Sequence, residues 1–164
     1  MTGLIVADAG PLIGLARARA LNLLELLYRD VLIPPAVEAE LQLDSSLPGA
    51  AALNAAVAAG WLRVADVPST SNVAALEKLL DLGEAQAISV AEDRGLRLLI
   101  DERQGRRVAV RRGVVVIGTG AVLLAAKAAG HLVATGPVLD ELERQGYRLS
   151  AALRLRLQRL AGEA

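Results

Sequence analysis

The sequence predicts an α/β fold, with a central, mostly parallel sheet, helices on both faces and a helical C-terminal tail. Three observations lead there. Leu4-Ile5-Val6-Ala7 is a run of four apolar residues near the N-terminus, as in a strand buried on both faces. Strand and helix patterns then alternate along the chain, which implies parallel strands joined by crossover helices. Two of the apolar strands run straight into an aspartate, Asp8 and Asp101. The carboxyl ends of parallel strands are where open α/β sheets place their ligands.

Taken in order, Gly10-Pro11 turns the chain from the first strand into a helix over residues 11–18, and apolar spacing gives a second helix over 21–28. Val31-Leu32-Ile33 is a short buried strand, and Pro34-Pro35 opens a helix that runs to about Leu43. A loop over 44–49 leads to an alanine-rich helix over 50–59, closed by Gly60, and then a strand over 61–64. Helices are expected over 72–80 and 82–92, the second closed near Gly95. The strand 96–100, the helix 102–112, the strand 114–117 and the helix 121–129 complete the alternation. Helices over 138–145 and 151–160, the latter with Ser150 as N-cap, form the tail. The 164 residues make one domain, an α/β core over 1–133 and a helical extension over 134–164. Leu153, Leu157 and Leu160 form an apolar stripe that needs cover from the domain or from a second subunit, so a homodimer is one expectation.

Composition excludes several chemistries. Cysteine is absent and His131 is the only histidine, so thiolate catalysis and the usual zinc sites are out. His131 follows Gly130 at a helix end and reads as a cap. The cysteine-free chain fits a reducing cytoplasm, Met1-Thr2-Gly3 lacks a basic leader, and no apolar run is long enough for a membrane span. Formal net charge is zero, and Trp61, Tyr28 and Tyr147 are the only aromatics, so neither global charge nor a stacking platform advertises nucleic acid. Gly118-Thr119-Gly120 lacks the third glycine of a dinucleotide fingerprint and reads as a tight turn.

Carboxylates remain. Asp8 and Asp101 end parallel strands, although Asp8 would also suit the N-cap of the following helix. On a helical wheel of about 100° per residue, Glu40 falls among Ala36, Val37, Leu41 and Leu43, whereas Glu38 falls on the polar side. Glu84 follows Asp81 at the spacing of a capping box, which would require no function of it. Oxygen-only donors at one sheet edge suit a hard cation such as Mg²⁺ or Mn²⁺. Arg103, Arg106, Arg107 and Arg111 fall within about 140° on one helix face, beginning two residues after Asp101. Such a stripe is a solvated face or a guide for a phosphate backbone.

At Val6-Ala7-Asp8-Ala9-Gly10-Pro11-Leu12, Ile33-Pro34-Pro35-Ala36-Val37 to Glu40-Leu41, Leu82-Gly83-Glu84-Ala85-Gln86-Ala87-Ile88 and Leu99-Ile100-Asp101-Glu102-Arg103, the sequence resembles PIN-domain proteins. The likeness is greatest to the DUF3368 branch related to VapC toxins, and it extends over nearly the whole chain. It implies a PIN-like three-layer sandwich and a Mg²⁺- or Mn²⁺-dependent endoribonuclease that leaves 5′-phosphate and 3′-hydroxyl ends. It also implies RNA as substrate and, in many members, a small antitoxin partner. By matching position Asp8, Glu40, Glu84 and Asp101 become the catalytic, metal-holding acids. Beside them Arg103, Arg106, Arg107 and Thr119 are the candidates for RNA contact. Two positions depart from the pattern. Gly10 stands where many PIN nucleases carry Ser or Thr, and Glu84 where many carry Asp. The alternatives are a catalytically weak or inactive RNA- or protein-binding module of the same fold, and a purely structural acid cluster neutralised by arginines.

Overall fold

A computed structural model describes residues 3–68 and 70–164. Its sheet has five strands, β1 (Leu4–Ala7), β2 (Asp30–Ile33), β3 (Leu62–Val64), β4 (Arg97–Leu99) and β5 (Val116–Ile117), in the order β3-β2-β1-β4-β5. All of the pairings are parallel, and β1 lies in the centre.

Side-chain alternation divides the strands between two cores. Ile5, Ala7, Val31, Ile33, Leu62 and Leu99 face one core. There they meet α1 (Ala9–Arg17), α2 (Asn22–Leu27), α8 (Thr119–Ala128) and α9 (Gly136–Arg144) through Leu12, Leu24, Leu123 and Leu139. Val6, Leu32, Leu98 and Ile100 face the other, against α5 (Thr70–Leu76), α6 (Leu82–Arg94) and α7 (Arg103–Arg111) through Val73, Ile88 and Val108. The result is the expected three-layer sandwich. α3 (Pro35–Leu41) and α4 (Ala50–Ala59) follow β2, and α10 (Ala151–Leu160) ends the chain.

Most elements lie where the sequence predicts them, and the differences have local causes. α3 stops at Leu41 because Gln42 adopts a left-handed conformation, φ 49°. α5 ends at Leu76, since Leu79 and Leu80 turn back onto the Leu76 carbonyl and free Asp81 to cap α6. α8 begins at Thr119, so Gly118-Thr119-Gly120 is not a separate turn but the helix start itself.

The tail is fastened at two points. Leu139 and Leu142 of α9 lie in the core, and Leu157 of α10 packs over Gly120, where a Cβ would stand 2.6 Å from a Leu157 methyl. Only Leu157 of the predicted stripe is buried; Leu153 and Leu160 stay 44% and 64% exposed. The second fastening is Glu163. Its carboxylate accepts from the Lys127 ammonium (2.9 Å), the Thr135 N–H (2.8 Å) and hydroxyl (3.0 Å), and the Gly136 N–H (3.0 Å). The backbone donors of Thr135 and the Lys127 charge favour its ionised form, so its pKa falls from 4.5 to about 2.

Glu163→Gln should therefore destabilise the protein by about 1–2 kcal/mol at neutral pH, read from urea unfolding. Because the folded state lowers this pKa, the stabilisation is complete above 4.5 and fades as pH falls toward 2. Parent and variant unfolding curves should then converge in acid, and a gap that persists below about pH 2 would place the effect elsewhere.

Candidate functional site

The site is the carboxyl edge of β1 and β4, where the β1–β4 ladder continues in a bond from the Asp8 N–H to the Leu99 carbonyl (2.9 Å). Asp8 is 7% exposed, follows the last residue of the central strand and occupies the N-cap position of α1. Its side chain nevertheless makes no capping bond to that helix, so capping does not explain it. Its pKa rises from 3.8 to about 7, chiefly through burial. The adjacent Ala9 N–H works against this rise, while the charges of Glu40, Asp81 and Asp101 add to it.

Glu40 reaches this edge from α3. The α3 start is tied to α6 by the Gln86 side-chain oxygen, which accepts from the Ala36 N–H (2.9 Å). The Glu40 carboxylate lies over Gly83, in space that a side chain there would fill: a Cβ would stand 2.1 Å from Glu40 Oε1 and 3.6 Å from Asp81 Oδ1. Burial first, then Asp81, raises its pKa. The predicted burial of the two glutamates is reversed, since Glu40 is exposed and Glu38 half-buried. The helix phase turns Glu40 toward the acid edge and not into the core.

Glu84 is 8% exposed and forms the capping box that its spacing allowed. The Glu84 N–H donates to Asp81 (2.8 Å), and the Asp81 N–H donates back to the Glu84 carboxylate (3.3 Å). Glu84 is also held near neutrality, at about 7, by burial and by the charge of Asp81, with Asp8 and Glu102 contributing less. Sequence reasoning treated Asp81 only as a cap, yet its charge bears on Asp8, Glu40 and Glu84. The signal available was Gly83 between the two acids, the small residue that lets Glu40 approach.

Asp101 is fixed on both oxygens by Thr119, through its N–H (2.8 Å) and its hydroxyl (2.6 Å). Thr119 is 2% exposed, which corrects its expected role: it orients Asp101 and cannot present itself to RNA. The Tyr147 hydroxyl also faces Asp101 and Thr119. Burial first, then the Asp101 charge, raises the Tyr147 pKa, and the ring fits against Gly14 of α1. Tyr147 carried no sequence signal beyond being one of three aromatics. Glu102 turns away to cap α7, accepting from the Gly105 N–H (2.6 Å).

Arg103, Arg106, Arg107 and Arg111 line, with Asp101, a cavity of about 550 Å³. Arg106 is the inner member, with its guanidinium bonded to the Ile100 carbonyl (2.7 Å). Among the described residues no Lys or Arg forms an ion pair with Asp8, Glu40, Glu84 or Asp101. Arginine neutralisation therefore does not explain the cluster. The donor chemistry suits a hard cation, but the spacing is wider than a bound ion needs. Among the described residues no three acids stand close enough to hold a metal.

A five-stranded parallel sheet with converging acids at the carboxyl edge of its central strands defines an α/β protein of the PIN type. The family DUF3368, a PIN domain, matches residues 4–163, and the chain belongs to it. The fold is also similar to that of a PilT N-terminus domain protein from the hyperthermophilic archaeon Sulfolobus solfataricus P2. That likeness has a TM-score of 0.50 at 16% identity, covering 77% of this chain and 93% of the other. No curated protein matches the sequence. No helix among the described residues is long and apolar enough to cross a membrane.

The raised pKa of Asp8 has a measurable sign. A folded-state value of about 7 against 3.8 means that the folded protein holds the proton more tightly, so this group costs stability as pH rises through that window. In metal-free buffer Asp8→Asn should raise stability by about 1–4 kcal/mol at pH 8 and change it little at pH 4. A loss of stability at pH 8 would show that Asp8 is a structural group after all.

Proposed function

We propose that the chain is a divalent-cation-dependent ribonuclease. The observation that carries this reading is the group of carboxylates at one sheet edge, buried Asp8 and Glu84, half-buried Asp101 and exposed Glu40, with no cationic side chain paired to them. Like charges so placed raise one another's pKa values and disfavour the ionised state unless protons or a cation balance them. Mg²⁺ or Mn²⁺ suits such oxygen donors, with Asp8 and Asp101 as the main ligands and Glu40 and Glu84 completing the set. A bound ion of this kind supplies an activated water and balances charge on a phosphodiester. The ion has to draw the carboxylates closer than they now stand. The chain's own contribution is orientation: Thr119 fixes Asp101, Gly83 leaves room for Glu40, and Gln86 holds α3 against α6. The arginines of α7 bring a phosphate backbone to an edge that would otherwise repel it. The resemblance of the motifs to VapC toxins supports a small antitoxin protein as partner in a toxin–antitoxin pair.

One observation favours a second reading, an RNA- or protein-binding module with a weak cation site. Glu84 and Asp101 already accept hydrogen bonds within the protein, from the capping box and from Thr119. Mn²⁺ separates the two. The ribonuclease should gain thermal stability with Mn²⁺, because a ligand that binds only the folded state must stabilise it, and should cleave RNA. Asp8→Asn should abolish both effects, and Glu40→Gln should reduce them more than Glu38→Gln. A parent that binds RNA without cleaving it, and whose melting temperature ignores Mn²⁺, is the binding module.

Replacing Arg103 and Arg107 with Gln spares the bond made by Arg106. The double variant should bind RNA more weakly, and the slope of log affinity against log salt should fall by about two. Mn²⁺ stabilisation should be unchanged. An unaltered salt slope would make the α7 stripe a solvated face only.

A further inference from the structure

A second cavity, of about 370 Å³, lies between α8 and α10. It meets the first at Asp101 and Arg106, which line both, so the acid edge is flanked on two sides. The walls of this trough are apolar: Leu124 from α8, and Leu153, Leu157 and Leu160 from α10. Its charged members are Asp101 and two arginines, Arg106 at the inner end and Arg156 from α10. Arg156 is exposed, and neither guanidinium forms an ion pair among the described residues. Leu153 and Leu160 keep large exposed faces toward solvent although Leu157 between them is buried.

We propose that this trough is a nucleotide subsite for single-stranded RNA, in which the leucines cover one base and Arg156 and Arg106 hold its flanking phosphates. The inference rests on the ribonuclease reading and assigns the C-terminal helix to substrate recognition. The volume falls in the range of small-ligand sites. Bases stack on guanidinium planes as well as on aromatic rings, and apolar leucines complete a slot in a chain almost without aromatics. Two guanidiniums at an apolar trough match an amphiphilic anion, which a nucleotide is and inorganic phosphate is not. The first turn of α8, including Gly120 and Ala121, also lines the trough, and its Thr119 N–H already holds the Asp101 carboxylate, so the two arginines are what the trough offers an anion.

The test is fluorescence anisotropy of a labelled short single-stranded RNA with the full chain in EDTA, where binding is read without cleavage. Arg156→Gln should weaken binding about five- to tenfold and lower the salt slope by about one. Leu153→Asp should weaken it comparably. Arg159→Gln removes the same charge from the same helix but lies outside the trough, and should leave affinity within about twofold of the parent. Uridine 5′-monophosphate should compete and inorganic phosphate should not. Equal effects of Arg156→Gln and Arg159→Gln would reduce the result to surface charge and overturn the subsite while leaving the ribonuclease reading intact. Loss of affinity in Leu153→Asp alone would make the trough an apolar partner surface and overturn it too. A parent that binds no RNA in EDTA overturns the subsite, and cleavage with Mn²⁺ then decides the ribonuclease reading separately.

Discussion

Everything at the site follows from like charge gathered on one edge. A parallel sheet sends all its strands out on the same side, so acids that end neighbouring strands must converge. Asp8 and Asp101 do so here because β1 and β4 pair directly. The apolar interior that makes the sheet stable is also what desolvates Asp8 and pushes its pKa to about 7. Stability of the sheet and discomfort of the edge thus have one source. The central strand carries an acid that its own burial leaves poorly able to stay ionised alone.

The surroundings treat these acids unequally. Glu84 and Asp101 are held by donors from the protein, the first by a capping box and the second by Thr119. Asp8 makes no capping bond, and Glu40 sits over a glycine with solvent on its other side. Two acids are therefore positioned and two are left to respond to whatever arrives. Two cavities meeting at Asp101 and Arg106 give the arriving group a path over the edge on both sides.

Much of this was legible in the sequence because it depends on local pattern. Apolar runs fixed the strands, glycines and prolines fixed the turns, and Asp81-x-x-Glu84 announced its capping box. What was not legible depends on contacts between distant segments. Thr119 belongs to a helix start that looked like a loop, and only its position beside Asp101 reveals its task. Asp81 has an adequate local role, which hid its wider electrostatic one. The wheel sets Glu40 among apolar neighbours, yet Glu40 is exposed at the acid edge. The wheel distinguishes faces, but it cannot say whether a face meets core or cleft.

Tyr147 carries a consequence for how the molecule comes into being. Its ring fills the space beside Gly14 on the first helix, and its hydroxyl lies against Asp101 and Thr119. Asp8 follows β1, Asp101 follows β4 much further along the chain, and Tyr147 comes after both, between α9 and α10. The acid edge is thus assembled only when these distant segments have met. Loosening the last helices should therefore loosen the acid edge as well, although neither of them carries one of its acids.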